Sequence, residues 1–186
     1  AIAREMDVTD PAEVEAVVED AADELGTVDV LVNNAGIFPM SRLDEMSREE
    51  WNRVIDVNLN GVYNCTHAAG EALKHGGGAV VNQLGVGVYQ GGYGRAHSFG
   101  SKMAIDGMVR QLATELGRDG IRVNGLSPGI IDVGRDADEE WERREREIAD
   151  STPLGRLGEI EEVADACTFL VSDRASFITG QVLHVN

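Results

Sequence analysis

Apolar residues recur at helical spacing near the start of the chain, at Val14, Val17, Val18 and Leu25. The segment Thr9-Asp10-Pro11 before them combines capping side chains with a proline, which is typical of a helix start, and Gly26 ends the pattern. A β-branched run over residues 28–32 predicts a strand that finishes in the turn-prone segment Asn33-Asn34-Ala35-Gly36.

The same alternation of helix and strand patterns continues to the end of the chain. Ser47 and Glu50 have the spacing of a capping box and predict the start of a long helix, which the glycines at 76–78 end. Further strands are predicted over residues 79–82, 121–124 and 181–185, further helices over about 98–116 and 159–171, and a charged surface lid over 132–150. Strands that alternate with helices in this order predict an α/β fold with a parallel sheet and right-handed crossovers.

Length and composition predict one globular domain over residues 1–186, since 42% of the residues are hydrophobic. No apolar run is long enough for a membrane span and no leader pattern occurs at Ala1, so we expect a cytoplasmic protein without a membrane partner. Cys65 and Cys167 are far apart and form no CxxC or Cys/His cluster, so neither a disulfide framework nor a metal site is expected.

The charge balance is strongly acidic, with 33 Asp and Glu against 16 Lys and Arg and a formal net charge of −17. Such a charge repels phosphate backbones, so nucleic acid is not an expected partner. Lysine occurs only at Lys74 and Lys102, and the acidic residues are spread over the helical segments. This distribution suits a halophilic protein whose self-repulsion is screened by salt, and an ordinary acidic bacterial protein is the alternative.

Several motifs occur together in one order and spacing, and in this the chain resembles the short-chain dehydrogenases/reductases. The similarity extends from about Asp7 to the end and includes Asn33-Asn34-Ala35-Gly36, Asn58-Leu59-Asn60-Gly61, Pro128-Gly129 and Phe177-Ile178-Thr179-Gly180-Gln181-Val182. The segment from Thr152 to Gly158 with the following helix is most similar to the 3-oxoacyl-acyl-carrier-protein reductase branch. The resemblance implies a Rossmann-like, doubly wound parallel sheet in which Asp7 ends the third strand. The first two strands and helices would then be lacking, and we expect a domain incomplete at both ends.

The family transfers a hydride between a nicotinamide cofactor and a carbonyl or alcohol, and its catalytic residues can be carried over by position. The lysine of the family's Tyr-x-x-x-Lys motif falls on Lys102, so Ser98 occupies the tyrosine position. An ungapped count places the catalytic serine on Gly85, and the water-holding asparagine is Asn58. The resemblance therefore implies an enzyme whose catalysis is impaired or lost.

An aliphatic hydroxyl at Ser98 is a far weaker acid than a phenol and cannot take over its role easily. Tyr89, Tyr93 and His97 lie nearby in sequence and are the candidates that could replace the missing acid/base. The resemblance leaves open which of them, if any, does so.

The resemblance implies NAD or NADP as the cofactor. Its contacts would include Asp7 and Val8 at the adenine, Asn34 with Ala35 and Gly36 on the ribose side, Lys102, and Pro128, Gly129 and Ile131 near the nicotinamide. Val133 stands where the family has a threonine for the nicotinamide carboxamide, and no Gly-x-x-x-Gly-x-Gly loop precedes Asp7. We therefore expect the pyrophosphate to lack its main binding site.

Two functions follow from these observations. The first is an NAD(P)-dependent oxidoreductase acting on a small ketone, an alcohol or a 3-oxoacyl thioester, with impaired catalysis. The second is a non-catalytic member of the family that serves as a subunit or a binding module. In both cases the resemblance implies a homodimer or homotetramer built on the helices over 47–74 and 98–116.

Overall fold

A computed structural model describes residues 1–74, 76–134 and 147–186. These residues form a four-stranded sheet whose strands are all parallel and lie in chain order. The strands are β1 (Val30–Asn33), β2 (Ala79–Gln83), β3 (Arg122–Pro128) and β4 (Val182–Val185). Because the four strands run in the same direction, their carboxyl ends all lie at one edge of the sheet.

Helices connect the strands and confirm the predicted α/β architecture. They are α1 (Pro11–Leu25), α2 (Arg48–Ile55), α3 (Gly61–Lys74), α4 (Gly87–Gln90), α5 (Ala96–Leu116) and α6 (Ile160–Val171). Within the described ranges, no helix has the length and apolar character needed to span a lipid bilayer. Most of the predicted lid, residues 135–146, lies outside the described residues.

The start and end of α1 follow from local sequence, as predicted. The Asp10 side chain accepts hydrogen bonds from the backbone N–H groups of Ala12 and Glu13 at 3.0 and 3.2 Å. Gly26 ends the helix with φ of 83°, a left-handed conformation that suits glycine, and its N–H donates to Ala22 O at 2.8 Å.

The predicted long helix after Ser47 is interrupted. A π-helical segment, Asp56–Asn60, separates α2 from α3 and was not predicted. The predicted capping box also forms only in part, since Ser47 Oγ accepts from Glu50 N–H at 3.0 Å. The Glu50 carboxylate instead lies 3.3 Å from Nε2 of His97 on α5, so a tertiary contact replaces the second half of the local cap.

The prediction of a strand ending at Asp7 is wrong. Residues 1–7 carry no strand, and the Asp7 carboxylate accepts hydrogen bonds from Thr9 N–H and Oγ at 2.9 and 2.8 Å in a turn. A strand needs a hydrogen-bonded neighbour, and among the described residues β1 pairs with β2 alone. The other departures are smaller: β3 extends to Pro128, and the short helix α4 lies within the glycine-rich stretch.

The core lies on both faces of the sheet. One face packs against α3 and α5 through a buried cluster of Ala69, Leu73, Val80, Ala113, Ile121 and Val123. The other face packs against α6 through Val81, Leu126 and Leu170. At the β1 edge, Val30 and Val32 remain 42% and 46% exposed. This edge of the sheet therefore presents apolar side chains to solvent in the described structure.

Candidate functional site

The candidate site lies at the carboxyl edge of the sheet, where the loops after β1, β2 and β3 meet α5. Gly36 follows β1 and Gly85 follows β2, while Ser98 and Lys102 lie on α5. Parallel α/β sheets bind ligands at this edge because the loops there are free to differ from the framework.

Asn58 is fully buried in the π-helical segment and ties that segment to the loop after β1. Its Oδ1 accepts a hydrogen bond from Ile37 N–H at 2.8 Å, and its Nδ2 donates to Ile37 O at 3.0 Å and to Ser101 Oγ at 3.2 Å. A Cβ atom added to Gly36 would lie 3.4 Å from Asn58 Oδ1 and 3.6 Å from Lys102 Nζ. The structure therefore brings Gly36, Asn58 and Lys102 together.

Lys102 is 1% exposed, and its Nζ donates a hydrogen bond to the backbone oxygen of Gln83 at 2.6 Å. The ring of Phe38 lies on another side, with its centroid 5.7 Å from Nζ. No carboxylate of the described residues forms an ion pair with this ammonium. Burial lowers the pKa of Lys102 from its ordinary value to about 8, because removal from water disfavours the charged form.

Ser98 is fully buried, and its hydroxyl is directed to the neighbouring His97. Its backbone N–H donates to His97 Nδ1 at 2.8 Å, which makes that nitrogen an acceptor, and Ser98 Oγ lies 3.2 Å from the same atom. His97 Nε2 then carries the proton and faces Glu50 Oε1 at 3.3 Å. Both side chains are enclosed, so the structure gives neither of them a path to a ligand.

The two tyrosines considered as replacements make contacts away from Ser98. Tyr93 is 70% exposed, and its hydroxyl accepts a hydrogen bond from Arg42 Nη1 at 3.1 Å. Tyr89 packs edge-on against His184, with ring centroids 4.8 Å apart. Burial raises the pKa of Tyr89, and the negative charge of Asp106 raises it further, so this phenol is held in its protonated form.

Gly85 occupies the position expected for a catalytic serine. A Cβ atom added there would have no heavy atom within 4 Å, so the space that a side chain would need is open. Val133, at the position of the family's threonine, is 51% exposed. The side chains at these positions offer neither a hydroxyl nor an amide group to a ligand.

Five of the residues predicted to bind the cofactor line two separate cavities, and Asp7, Gly36, Lys102 and Pro128 line neither of the two. Val8, Asn34 and Ala35 line one slot of about 120 Å³ beside β1. Gly129 and Ile131 line a second cleft of about 410 Å³ after β3, whose walls also include Val86, Ile148, Leu157 and His184. Pro128 ends β3 next to this cleft. The Asp7 carboxylate accepts hydrogen bonds from Thr9, and these lower the pKa of Asp7.

Phe38 and Arg95 are two residues of the site that the sequence did not single out. Arg95 Nη1 donates to the backbone oxygens of Phe38 and, at 3.2 Å, of Pro39. The only signal for Phe38 is an aromatic side chain two residues beyond Gly36. Within the described ranges, no group of three or more His, Cys, Asp or Glu side chains is arranged to hold a metal ion.

Comparisons with known proteins agree with this architecture. A family model described as enoyl-(acyl carrier protein) reductase matches residues 1–186. The chain is 37% identical to 3-oxoacyl-(acyl-carrier-protein) reductase FabG of Staphylococcus aureus over 183 residues, which cover 98% of this chain and 74% of the relative. It is 39% identical to a 3alpha-hydroxysteroid dehydrogenase of Mediterraneibacter gnavus over 180 residues, which cover 95% and 71% of the two chains.

A solved structure extends the likeness to three dimensions. The ligand-free aldohexose dehydrogenase of Thermoplasma acidophilum matches with a TM-score of 0.92 and 34% sequence identity, covering 98% of this chain and 75% of that protein. The order of the strands, the position of Lys102 on α5 and these likenesses agree with one another. The chain belongs to the short-chain dehydrogenase/reductase family, and the likeness to its 3-oxoacyl-acyl-carrier-protein reductase branch is confirmed.

Proposed function

We propose that this chain is an oxidoreductase-type protein of the family, with a site for a nicotinamide cofactor and a carbonyl or alcohol substrate, in which proton transfer is impaired. The observation that carries this proposal is the direction of Ser98. Its hydroxyl lies 3.2 Å from His97 Nδ1 and is fully buried, so it is not presented to a substrate. Loss of a general acid typically costs about 10²–10⁴ in rate.

The residues present fit part of a dinucleotide. The slot beside β1 is lined mainly by apolar residues such as Val8 and Ala35, together with the side chains of Asn33 and Asn34, and this lining suits an adenosine moiety. A bound nicotinamide would supply or accept the hydride. Lys102 Nζ donates one hydrogen bond to Gln83 O, and its remaining N–H groups could donate to hydroxyl groups of such a ligand. We propose NAD or NADP as this dinucleotide.

The substrate class rests on likeness to proteins named for 3-oxoacyl thioesters, a hydroxysteroid and an aldohexose. All three names describe a carbonyl or alcohol group, on an acyl chain, a steroid or a sugar. We extend that coarse class to this chain. The cleft of about 410 Å³ after β3 has largely apolar walls, including Val86, Ile131 and Leu157, and suits the non-reacting part of such a molecule.

The second candidate is a binding module or subunit without catalysis. It is favoured by the same cleft, whose lining includes neither Gly85 nor Ser98, so that binding there does not need a hydroxyl at either position. For either function we propose a homodimer or homotetramer through α2, α3 and α5, where Tyr63 and Met103 are 56% and 40% exposed. Light scattering in molar salt tests this, and a monomer mass would contradict it.

The test of the proposed function restores the missing hydroxyls. The double variant Ser98→Tyr/Gly85→Ser is compared with Ser98→Phe/Gly85→Ser, which adds the same ring without the acid. NADH- or NADPH-dependent reduction of an acetoacetyl thioester is followed at cofactor concentrations high enough to offset weak binding. We expect the tyrosine variant to exceed the phenylalanine variant by roughly a hundredfold. Equal rates in the two variants would contradict the proposal.

A further inference from the structure

The described wall of the cleft of about 410 Å³ after β3 contains one ion pair, formed by Arg156 and Glu162. Arg156 Nη1 donates a hydrogen bond to Glu162 Oε2 at 2.8 Å, and Nη2 donates to Glu162 Oε1 at 2.6 Å. The two groups therefore meet in the bidentate geometry that makes such pairs strong. Arg156 Nη1 also donates to the backbone oxygen of Leu157 at 2.9 Å. Both terminal nitrogens of the guanidinium are thus engaged by the protein itself.

The carboxylate of Glu162 is fixed from a second direction. Its Oε2 also accepts a hydrogen bond from the backbone N–H of Glu159 at 2.8 Å, at the start of α6. The hydrogen bonds from Arg156 and Glu159 lower the pKa of Glu162 to about 2, because they favour the ionised form. The side chain of Arg156 is 47% exposed, so a ligand could reach the guanidinium if Glu162 did not hold it. As it stands, the pair adds no net charge to the cleft.

The other described residues of the lining include no Asp, Glu, Lys or Arg. The amide of Gln90 and the imidazole of His184 supply hydrogen-bond donors and acceptors, while Ile131 and Leu157 supply apolar surface. This combination suits the hydroxyl or carbonyl group of an uncharged molecule that also has an apolar part. A carboxylate or phosphate would lose hydration in the cleft without meeting a cation that is free of its own partner there.

We propose that Glu162 is a specificity-determining residue, which occupies Arg156 and thereby reserves the cleft for uncharged amphipathic alcohols and carbonyl compounds and excludes carboxylates and phosphates. The inference rests on the proposed function, because it names the class of ligand that the same cleft accepts. It needs neither a nicotinamide nor a proton transfer, and its tests measure binding without cofactor or turnover. A failed test of carbonyl reduction and a failed test of binding are therefore separate results.

The ligand class is tested with cyclohexylmethanol and cyclohexanecarboxylate, which share the ring and differ in the charge of the head group. Their dissociation constants for the unmodified chain are measured by saturation-transfer difference NMR at neutral pH. Molar KCl screens the net charge of −17, so that the difference reports on the wall of the cleft. We expect the alcohol to bind about tenfold or more tightly than the carboxylate. Equal or tighter binding of the carboxylate, or no binding of the alcohol, would overturn the proposal.

The role of Glu162 is tested with Glu162→Gln, whose side chain can still accept the Glu159 N–H but no longer neutralises Arg156. We expect this variant to bind cyclohexanecarboxylate about tenfold more tightly than the unmodified chain, and cyclohexylmethanol within about twofold of it. Glu161→Gln is the matched control, since it removes the same charge from an exposed neighbouring position of α6 that is not the partner of Arg156. Equal carboxylate affinities in the two variants would overturn the role of Glu162.

The source of the gained affinity is tested with Arg156→Gln/Glu162→Gln, which removes the released cation as well. We expect cyclohexanecarboxylate to bind this double variant as weakly as it binds the unmodified chain. A gain that persists without Arg156 would contradict the proposed selection through that guanidinium.

The location of the bound alcohol is tested with His184→Phe, which keeps a ring in the wall of the cleft and removes its hydrogen-bonding nitrogens. We expect this variant to bind cyclohexylmethanol several-fold more weakly. His67→Phe is the control, because His67 lies on the exposed side of α3 and stacks on Tyr63. Unchanged alcohol binding in His184→Phe would place the probe outside this cleft and would overturn the assignment of the site.

Discussion

Ser98 Oγ lies 3.2 Å from Nδ1 of the adjacent His97, and Glu50 Oε1 lies 3.3 Å from the other nitrogen of the same imidazole. The serine hydroxyl is thus held by a buried side chain that is itself anchored to α2. A substitution of tyrosine by serine can leave a hydroxyl in the site, but here the hydroxyl faces the protein interior. This relationship is the reason why we assign impaired proton transfer to the chain.

Replacement of Lys102 by methionine is expected to raise stability near neutral pH. The folded-state pKa of about 8 lies below the ordinary value of 10.5, so folding opposes the charge that the unfolded chain keeps. The cost is fully present below about pH 8 and is lost as pH rises to 10.5, because the unfolded state binds more protons in that window. From this shift, Lys102→Met is expected to gain roughly 3 kcal/mol at neutral pH.

Denaturant unfolding between neutral pH and about pH 10 measures this gain, which should shrink as pH rises. Lys74→Met is the control, since that lysine is exposed and paired with Glu71. We expect the control to change stability by less than about 1 kcal/mol. A loss of stability in Lys102→Met at neutral pH would show that the amine stabilises the fold.

Asn58→Ala is expected to destabilise the fold by roughly 2–3 kcal/mol. The variant loses three hydrogen bonds and leaves the N–H and the oxygen of Ile37 without their partner in a part-buried loop. Asn60→Ala is the matched control in the same π-helical segment, because the exposed Asn60 only donates to Asp56 Oδ1 at 2.8 Å. Urea unfolding of both variants compares the two, and similar losses would show that Asn58 has no special structural role.

The local parts of the fold could be predicted from sequence, and the tertiary parts could not. Asp10, Pro11 and Gly26 act within one turn of α1, so their positions predict its ends correctly. Glu50 was expected to complete a cap, but its carboxylate meets His97, 47 residues away, which no local pattern indicates.

The same limit applies to the candidate site. Motif spacing identifies Asn58, Ser98 and Lys102 as neighbours of a ligand site, since the family's spacing is preserved. The direction of the Ser98 hydroxyl depends on which nitrogen of His97 carries the proton, and the contact with Glu50 sets that. The position of the Phe38 ring beside Lys102 Nζ depends on a contact between distant segments, in which Arg95 donates a hydrogen bond to the backbone oxygen of Phe38.

Stability is expected to rise with salt. A formal net charge of −17 produces self-repulsion in the folded state that ions screen, and this charge is spread over helical surfaces. Thermal unfolding in KCl from low to molar concentration measures the effect. Melting temperatures that stay flat or fall over this range would remove the halophilic interpretation of the acidic surface.

The most direct measurement is carbonyl-dependent oxidation of NADH and NADPH by the unmodified chain, with Lys102→Ala as its reference. Acetoacetyl thioesters and simple ketones are the substrates. Since Ser98 is enclosed with His97 and Gly85 has no hydroxyl, we predict that the unmodified chain is no faster than Lys102→Ala. Turnover that the unmodified chain shows and Lys102→Ala lacks would contradict the account and would assign the acid/base role to Tyr89, Tyr93 or His97.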